Sequence, residues 1–133
     1  VGYGLLAWKL RQDPQVTVLE RENIRHLPRE AVGELCDLAV IDCSFISLEV
    51  VLPPTLKFLK PAADVIALIK PHFEVARDDI EAGGVVRDDQ ARQQAIEQII
   101  TFAEAQGLKF VKGIDSPIHG PAGNIEYLVW LRR

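Results

Sequence analysis

The segment Asp64-Val65-Ile66-Ala67-Leu68-Ile69-Lys70-Pro71 carries five apolar residues in a row, bounded by an acid and by Lys-Pro. A run this short, rich in β-branched residues and without polar alternation, reads as a strand buried on both faces, as in parallel sheets. Upstream, Asp37-Leu38-Ala39-Val40-Ile41 runs the same way into Asp42. Between the two, Ser47 is placed to cap a helix through Leu59, which Pro53-Pro54 is expected to kink or break, and residues 60–63 form a turn. Downstream, a long loop over 71–87 holds Gly83-Gly84. Asp88 then caps a helix that Gly107 ends, with Ala91, Ala95, Ile99, Phe102 and Ala103 on one face.

Two more strands follow, at 109–114 and 125–131, joined by a Gly/Pro-rich turn too short for a helical crossover, so they should be antiparallel neighbours. Toward the start, a short amphipathic helix ends near Asp13-Pro14, residues 16–19 read as a buried strand, and Pro28 opens a helical turn. The expectation is an α/β sheet, mostly parallel, covered on both faces, with an antiparallel last strand.

Composition narrows the function. The 133 residues are room for one domain, and 48% hydrophobic with 26% charged residues is an ordinary globular balance. Fifteen basic against nineteen acidic residues give a net charge of −4, which argues against a self-sufficient electrostatic clamp on nucleic acid. Apolar runs fall far short of the ~20 residues of a membrane helix, and the opening residues do not read as a signal peptide. Cys36 and Cys43, roughly 23 Å apart if on one strand, are too distant to bridge. They read as reduced thiols of a cytoplasmic protein, and two alone make no zinc site. His26, His72 and His119 show no ligand spacing, so no metal is expected.

In open α/β sheets, ligands bind beyond the carboxyl ends of the strands. Asp42 and Lys70 both fall there, and Glu126, at the start of an antiparallel strand, is brought to the same edge. A lysine between two carboxylates and partly withdrawn from water feels competing pulls on its proton, the setting in which lysine serves as a base. A structural ion-pair network at a strand edge is the alternative that position alone leaves open. Ser44 and Ser47 lack a nucleophile-elbow motif and are assigned to capping. Gly83-Gly84 is either a lid or a helix entry, and Lys109, Lys112, Arg132 and Arg133 form no stripe.

The order of segments narrows this further. Val40-Ile41-Asp42-Cys43-Ser44-Phe45-Ile46-Ser47-Leu48, Leu68-Ile69-Lys70-Pro71-His72-Phe73-Glu74, Gly83-Gly84-Val85-Val86-Arg87-Asp88, Ser116-Pro117-Ile118 and Gly120-Pro121-Ala122-Gly123-Asn124-Ile125-Glu126-Tyr127 occur in sequence. Together they resemble the TlyA family, often labelled hemolysin A, among the FtsJ-like S-adenosylmethionine-dependent ribose 2′-O-methyltransferases of ribosomal RNA. The resemblance implies a Rossmann-like class I methyltransferase sheet. Of the family's Lys-Asp-Lys-Glu tetrad, the last three members match Asp42, Lys70 and Glu126. By resemblance, Lys70 would take the proton of the 2′-hydroxyl, while Asp42 and Glu126 orient and tune it. The two carboxylates favour the charged ammonium, so desolvation, the tetrad's other lysine or the cofactor's positive charge would have to supply the free amine.

The resemblance also implies a cofactor pocket for S-adenosylmethionine, to which the Gly2 turn, Arg21, Asn23 and Asp42 would contribute. The family's first tetrad lysine, its glycine-rich loop and an N-terminal S4-type RNA-binding domain would lie upstream. Residues 1–133 are therefore expected to be the C-terminal part of one FtsJ-like domain, truncated at its N-terminus. Such a piece should bind the cofactor weakly or not at all, and saturable low-micromolar calorimetric binding would contradict this. An exposed apolar edge would favour a homodimer or strand exchange, which a strictly monomeric sedimentation profile would count against. Ribosomal RNA or a ribosomal subunit is the implied partner, gripped mainly through the S4 domain. His72 stands where the family pattern has glutamine.

Two other readings compete. A receiver-type signalling domain needs acids after its first strand and a hydroxyl-bearing strand between Asp42 and Lys70, which are separated by one helix only. A non-catalytic RNA- or nucleotide-binding scaffold would have no need of a lysine between two carboxylates. Membrane lysis, suggested by the hemolysin label, lacks a spanning or strongly amphipathic cationic helix.

Overall fold

The computed structural model describes residues 2–133. A four-stranded sheet organises the chain: β1 (Cys36–Ile41), β2 (Leu59–Ile69), β3 (Lys109–Asp115) and β4 (Tyr127–Arg132), in the spatial order β1-β2-β4-β3. β1 and β2 are parallel, and β4 runs antiparallel to both its neighbours. Three strands therefore point one way and β4 the other, as the short connection before it predicts.

Three helices accompany the sheet: α1 (Trp8–Arg11), α2 (Leu48–Leu56) and α3 (Asp89–Ala105). Ser47 caps α2 by accepting from the Glu49 N–H at 3.1 Å, and Asp88 caps α3 by accepting from Gln90 at 2.9 Å. At the other end of α3, Gly107 takes a φ of +86° and Leu108 donates to the Ala103 carbonyl at 3.1 Å, the left-handed closure foreseen for that glycine. α2 runs unbroken through Pro53 and Pro54 and stops at Leu56.

The core lies between the sheet and these two helices. Val65, Ala67 and Ile69 of β2 and Val129 and Leu131 of β4 are buried against Leu48, Val51 and Leu52 of α2 and Ile96, Ile99 and Ala103 of α3. The alternate residues face away. Leu38, Val40 and Ile114 are exposed there, beside the half-buried Ile66, Leu68, Leu128 and Trp130.

Cover on both faces is thus corrected. Among the described residues only one face carries helices, because α1 is four residues long and buries none of them. The strand expected at 16–19 does not form either: the segment has no ladder partner, so its β-branched residues lack the pairing that makes a strand. The turn expected at 60–63 lies within β2 as a register jump, Cys36 facing Leu59 and Leu38 facing Asp64. Cys43 falls beyond the end of β1, and both cysteines are free thiols. No helix among the described residues is long and apolar enough to cross a membrane.

Candidate active site

Register explains why three distant ionisable residues meet. Ile69 pairs with Tyr127 across the antiparallel β2–β4 ladder, so one step further sets Lys70 opposite Glu126. Ile41 pairs with Ala67 in the parallel β1–β2 ladder, so Asp42 emerges at the same rim. There the Lys70 Nζ lies 2.7 Å from Asp42 Oδ1 and donates to Ser44 Oγ at 3.0 Å. The lysine side chain is 13% exposed against 68% for Asp42, so a mostly buried cation leans on a carboxylate that water still reaches.

Glu126 is buried. Burial pushes its carboxyl above the usual range, Lys70 pulls it back and Asp42 pushes it up again. The turn before it passes so close that a Cβ on Gly120 would stand 2.8 Å from Glu126 Oε1 and would push the carboxyl aside. Asn124, in the same turn, is buried and holds the Gly84–Val86 segment by hydrogen bonds.

Ser44, Lys70, Asn124 and Glu126 line a cavity of about 360 Å³ together with Phe45, His72, Phe73, Gly83 and Gly84. That is within the range of sites for small molecules or single nucleotide units. Phe45 is its most conspicuous wall: 78% exposed and with a φ of +62°, a conformation that costs a bulky residue of order 1–3 kcal/mol. Its ring leans on Phe73, centroids 5.2 Å apart. His72, stacked on Phe73 at 4.0 Å, has a buried Nδ1 without a partner. Burial and then the Lys70 charge lower its pKa, favouring the neutral imidazole. Glu74 anchors the segment behind the cavity, accepting from the Leu48 N–H at 2.9 Å at the start of α2, and burial pushes its carboxyl up.

The other residues singled out from sequence form a second cluster. Arg21, with φ +59°, lies over the Tyr3 ring at 4.0 Å. Glu20 accepts from Arg11 and from the Gly4 N–H, and both hold its carboxyl below the usual range. These contacts draw the Gly2 turn against the start of the 20–23 segment. Asn23 closes its own turn, its Oδ1 accepting from the Arg25 N–H at 3.1 Å. Gly2 and Gly4 both have positive φ, and nothing lies within 4 Å of where a Cβ would stand, so their backbone offers an open cradle. Asp42 pairs with Lys70 through one oxygen, and its second oxygen takes no partner among the described residues and is free to meet a polar or cationic group. Among the described residues, no group of three or more His, Cys, Asp or Glu is placed to hold a metal ion.

Sequence reasoning assigned Ser44 to capping, which is corrected: Ser47 caps α2, while Ser44 receives the lysine's hydrogen bond. Phe45 and Asn124 carry no signal of their own in the sequence beyond the motifs that contain them. An exposed aromatic in a left-handed conformation has no signature in spacing, and a buried asparagine is recognisable only from its partners.

The comparisons with known proteins concern this same chain. A model of the FtsJ-like methyltransferase family matches residues 1–133. The 16S/23S rRNA (cytidine-2′-O)-methyltransferase TlyA of Mycobacterium tuberculosis is 48% identical over 132 residues, 99% of this chain and 49% of that protein. Hemolysin A of Brachyspira hyodysenteriae is 38% identical over 129 residues, 96% of this chain and 54% of its own length. The chain thus spans about half the length of the curated relatives it matches. A solved Streptococcus thermophilus structure described as a hemolysin superposes with a TM-score of 0.92 at 39% identity, covering 96% of this chain and 46% of that one. With a family model matched along its whole length, the chain belongs to the FtsJ-like methyltransferase family.

Proposed function

We propose that the protein to which these residues belong methylates a ribose 2′-hydroxyl of ribosomal RNA, with Lys70 as the base. The observation that carries this reading is the Lys70 Nζ fixed on Asp42 and Ser44, with Glu126 beside it, at the wall of a nucleotide-sized cavity. Family membership supports methyl transfer. The relative from Mycobacterium tuberculosis, named for cytidine 2′-O-methylation of 16S and 23S rRNA, supports the substrate.

When bound, S-adenosylmethionine supplies an electrophilic methyl group. Asp42, Gly2, Arg21 and Asn23 are the residues of this chain that would hold it. Lys70 receives the hydroxyl proton at Nζ as the oxygen becomes the nucleophile. Asp42 keeps Nζ at the strand edge, and Glu126, buried nearby, acts on the amine through its field. Phe45 offers an exposed ring on which an unstacked base can rest, and the Phe73 contact keeps that ring in place. With a net charge of −4, these residues are not the main grip on RNA, so that charge is carried elsewhere in the full protein, an S4-type domain being the proposed source.

The test is methylation of ribosomal subunits by the full-length protein, with 2′-O-methyl groups mapped by mass spectrometry. Lys70→Ala should lower the rate by roughly 10²–10⁴-fold, the contribution of a positioned base. Equal methylation by both proteins would overturn the assignment of Lys70 as the base.

A further inference from the structure

Asn124 is buried, 2% exposed, in the turn that leads into Glu126 and β4. Its side-chain amide uses both ends on one distant loop: Oδ1 accepts from the Val86 N–H at 2.9 Å, and Nδ2 donates to the Gly84 carbonyl at 2.8 Å. Both bonds meet the backbone, so no other side chain in that loop sets their geometry. On its own side the turn is rigid, with Gly120 donating to the Asn124 carbonyl at 2.9 Å, Gly123 to Gly120 at 2.8 Å and Ser116 to Glu126 at 2.8 Å.

The loop on the far side is otherwise held at its ends, by an Arg87–Glu81 ion pair at 2.8 Å and by the buried Val86, and not through side chains at the glycines themselves. Glu81 and Val85 form one isolated bridge, with Gly84 donating back to Glu81 at 3.0 Å. Gly83 and Gly84 both have positive φ and present bare backbone to the cavity. A wall without side chains lets a flat group approach closely, but glycine gives it no packing to hold its position. The Asn124 amide supplies that hold, joining segments 38 and 40 residues apart in the chain.

We propose that Asn124 is a positioning residue for the RNA substrate. It clamps the Gly83–Gly84 wall to the Glu126 turn, so that the cavity holds the target nucleotide with its ribose at Lys70. The inference rests on the methyltransferase reading and adds a residue that acts through the wall, not on the reacting atoms. Lys70 and Asp42 follow the ends of β2 and β1, which the clamp does not touch, and Glu126 keeps its own backbone bond from Ser116, so loss of the clamp weakens the hold on RNA more than the chemical step.

Full-length wild type, Asn124→Asp and Asn124→Ala are compared on ribosomal subunits. Asn124→Asp keeps the size and the acceptor for Val86 but turns a second oxygen toward the Gly84 carbonyl. The loss of that hydrogen bond should raise KM for the subunits about tenfold, with kcat changed less than about threefold. Asn124→Ala should raise KM at least as far and speed hydrogen exchange at the Val86 amide. If the alanine variant does not fold, the aspartate variant decides. Unchanged KM in the folded variants, or kcat falling at constant KM, overturns the clamp. Absence of methylation by the wild type refutes the functional reading instead. The Val86 exchange rate then decides the clamp alone, acceleration supporting it and no change overturning it.

Discussion

Replacing Asp42 by asparagine separates the charge of the candidate site from its shape. Asparagine fills the same volume and still accepts a hydrogen bond, so what disappears is the attraction between a carboxylate and the ammonium that the free Lys70 amine becomes as it takes up the hydroxyl proton. At 2.7 Å, that attraction is ~1.5 kcal/mol in water-like surroundings and ~6 kcal/mol at an effective dielectric constant of 20. Asp42 is 68% exposed, which places the pair near the lower figure, while the burial of Lys70 lifts it somewhat. A loss of about 1.5–3 kcal/mol, the span of a charged hydrogen bond, corresponds to a rate reduction of roughly 10–150-fold. Stability should change by less than ~1 kcal/mol, because an exposed partner contributes little to folding. The assay is steady-state methylation of ribosomal subunits by the full-length Asp42→Asn protein, with KM for S-adenosylmethionine and for subunits measured separately. A fall confined to kcat assigns Asp42 to Lys70, and a rise confined to the cofactor KM assigns it to the cofactor. A reduction below threefold in kcat/KM, with thermal unfolding unchanged, would refute the electrostatic argument altogether.

Two other substitutions probe neighbouring parts of the molecule. Phe45→Ala should raise KM for ribosomal subunits by roughly 5–150-fold, the ~1–3 kcal/mol of a base stacked on an aromatic ring, and should not lower the melting temperature, since the side chain is exposed and its backbone is strained; unaltered KM would remove Phe45 from the substrate path. Glu74→Gln keeps the acceptor for Leu48 but cannot ionise. Burial raises the folded-state pKa of Glu74 above its unfolded value, so the wild type is destabilised relative to the glutamine variant as pH rises through the folded value. Melting curves should coincide below about pH 4 and diverge toward pH 7 with the variant higher; a wild type more stable at pH 7 would contradict the assignment.

Much of the architecture was legible because β2 and α3 carry strong local signals. The run Val65–Ile69 could be little but a covered strand, and Asp88 with Gly107 mark both ends of α3 through hydrogen bonds that the structure contains. The meeting of Asp42, Lys70 and Glu126 followed from topology, since an antiparallel last strand must start where its parallel neighbours end. What escaped depended on tertiary partners. Residues 16–19 have strand chemistry but no strand beside them, so composition alone misled. Ser44 and Ser47 are the same residue type three positions apart, and only the direction of β1 as it leaves the sheet decides which caps a helix and which meets Lys70. Asn124 was hidden for a related reason: its partners lie 38 and 40 residues away.

The place of β4 between β2 and β3 bears on how the molecule comes into being. Last of the four strands in chain order, it fills the middle of the sheet, and its pairing of Arg132 with Asp64 spans 68 residues. Until the ribosome has released residue 132, β2 has no neighbour on that side, β3 has none at all, and Glu126 has no route to Lys70. A nascent chain therefore carries the lysine long before it carries the complete pocket. Assembly waits on a contact of long sequence separation, the slowest kind to form. Chains stopped short by even one strand hold only the β1–β2 pair and an unpaired β3, with no joint active rim.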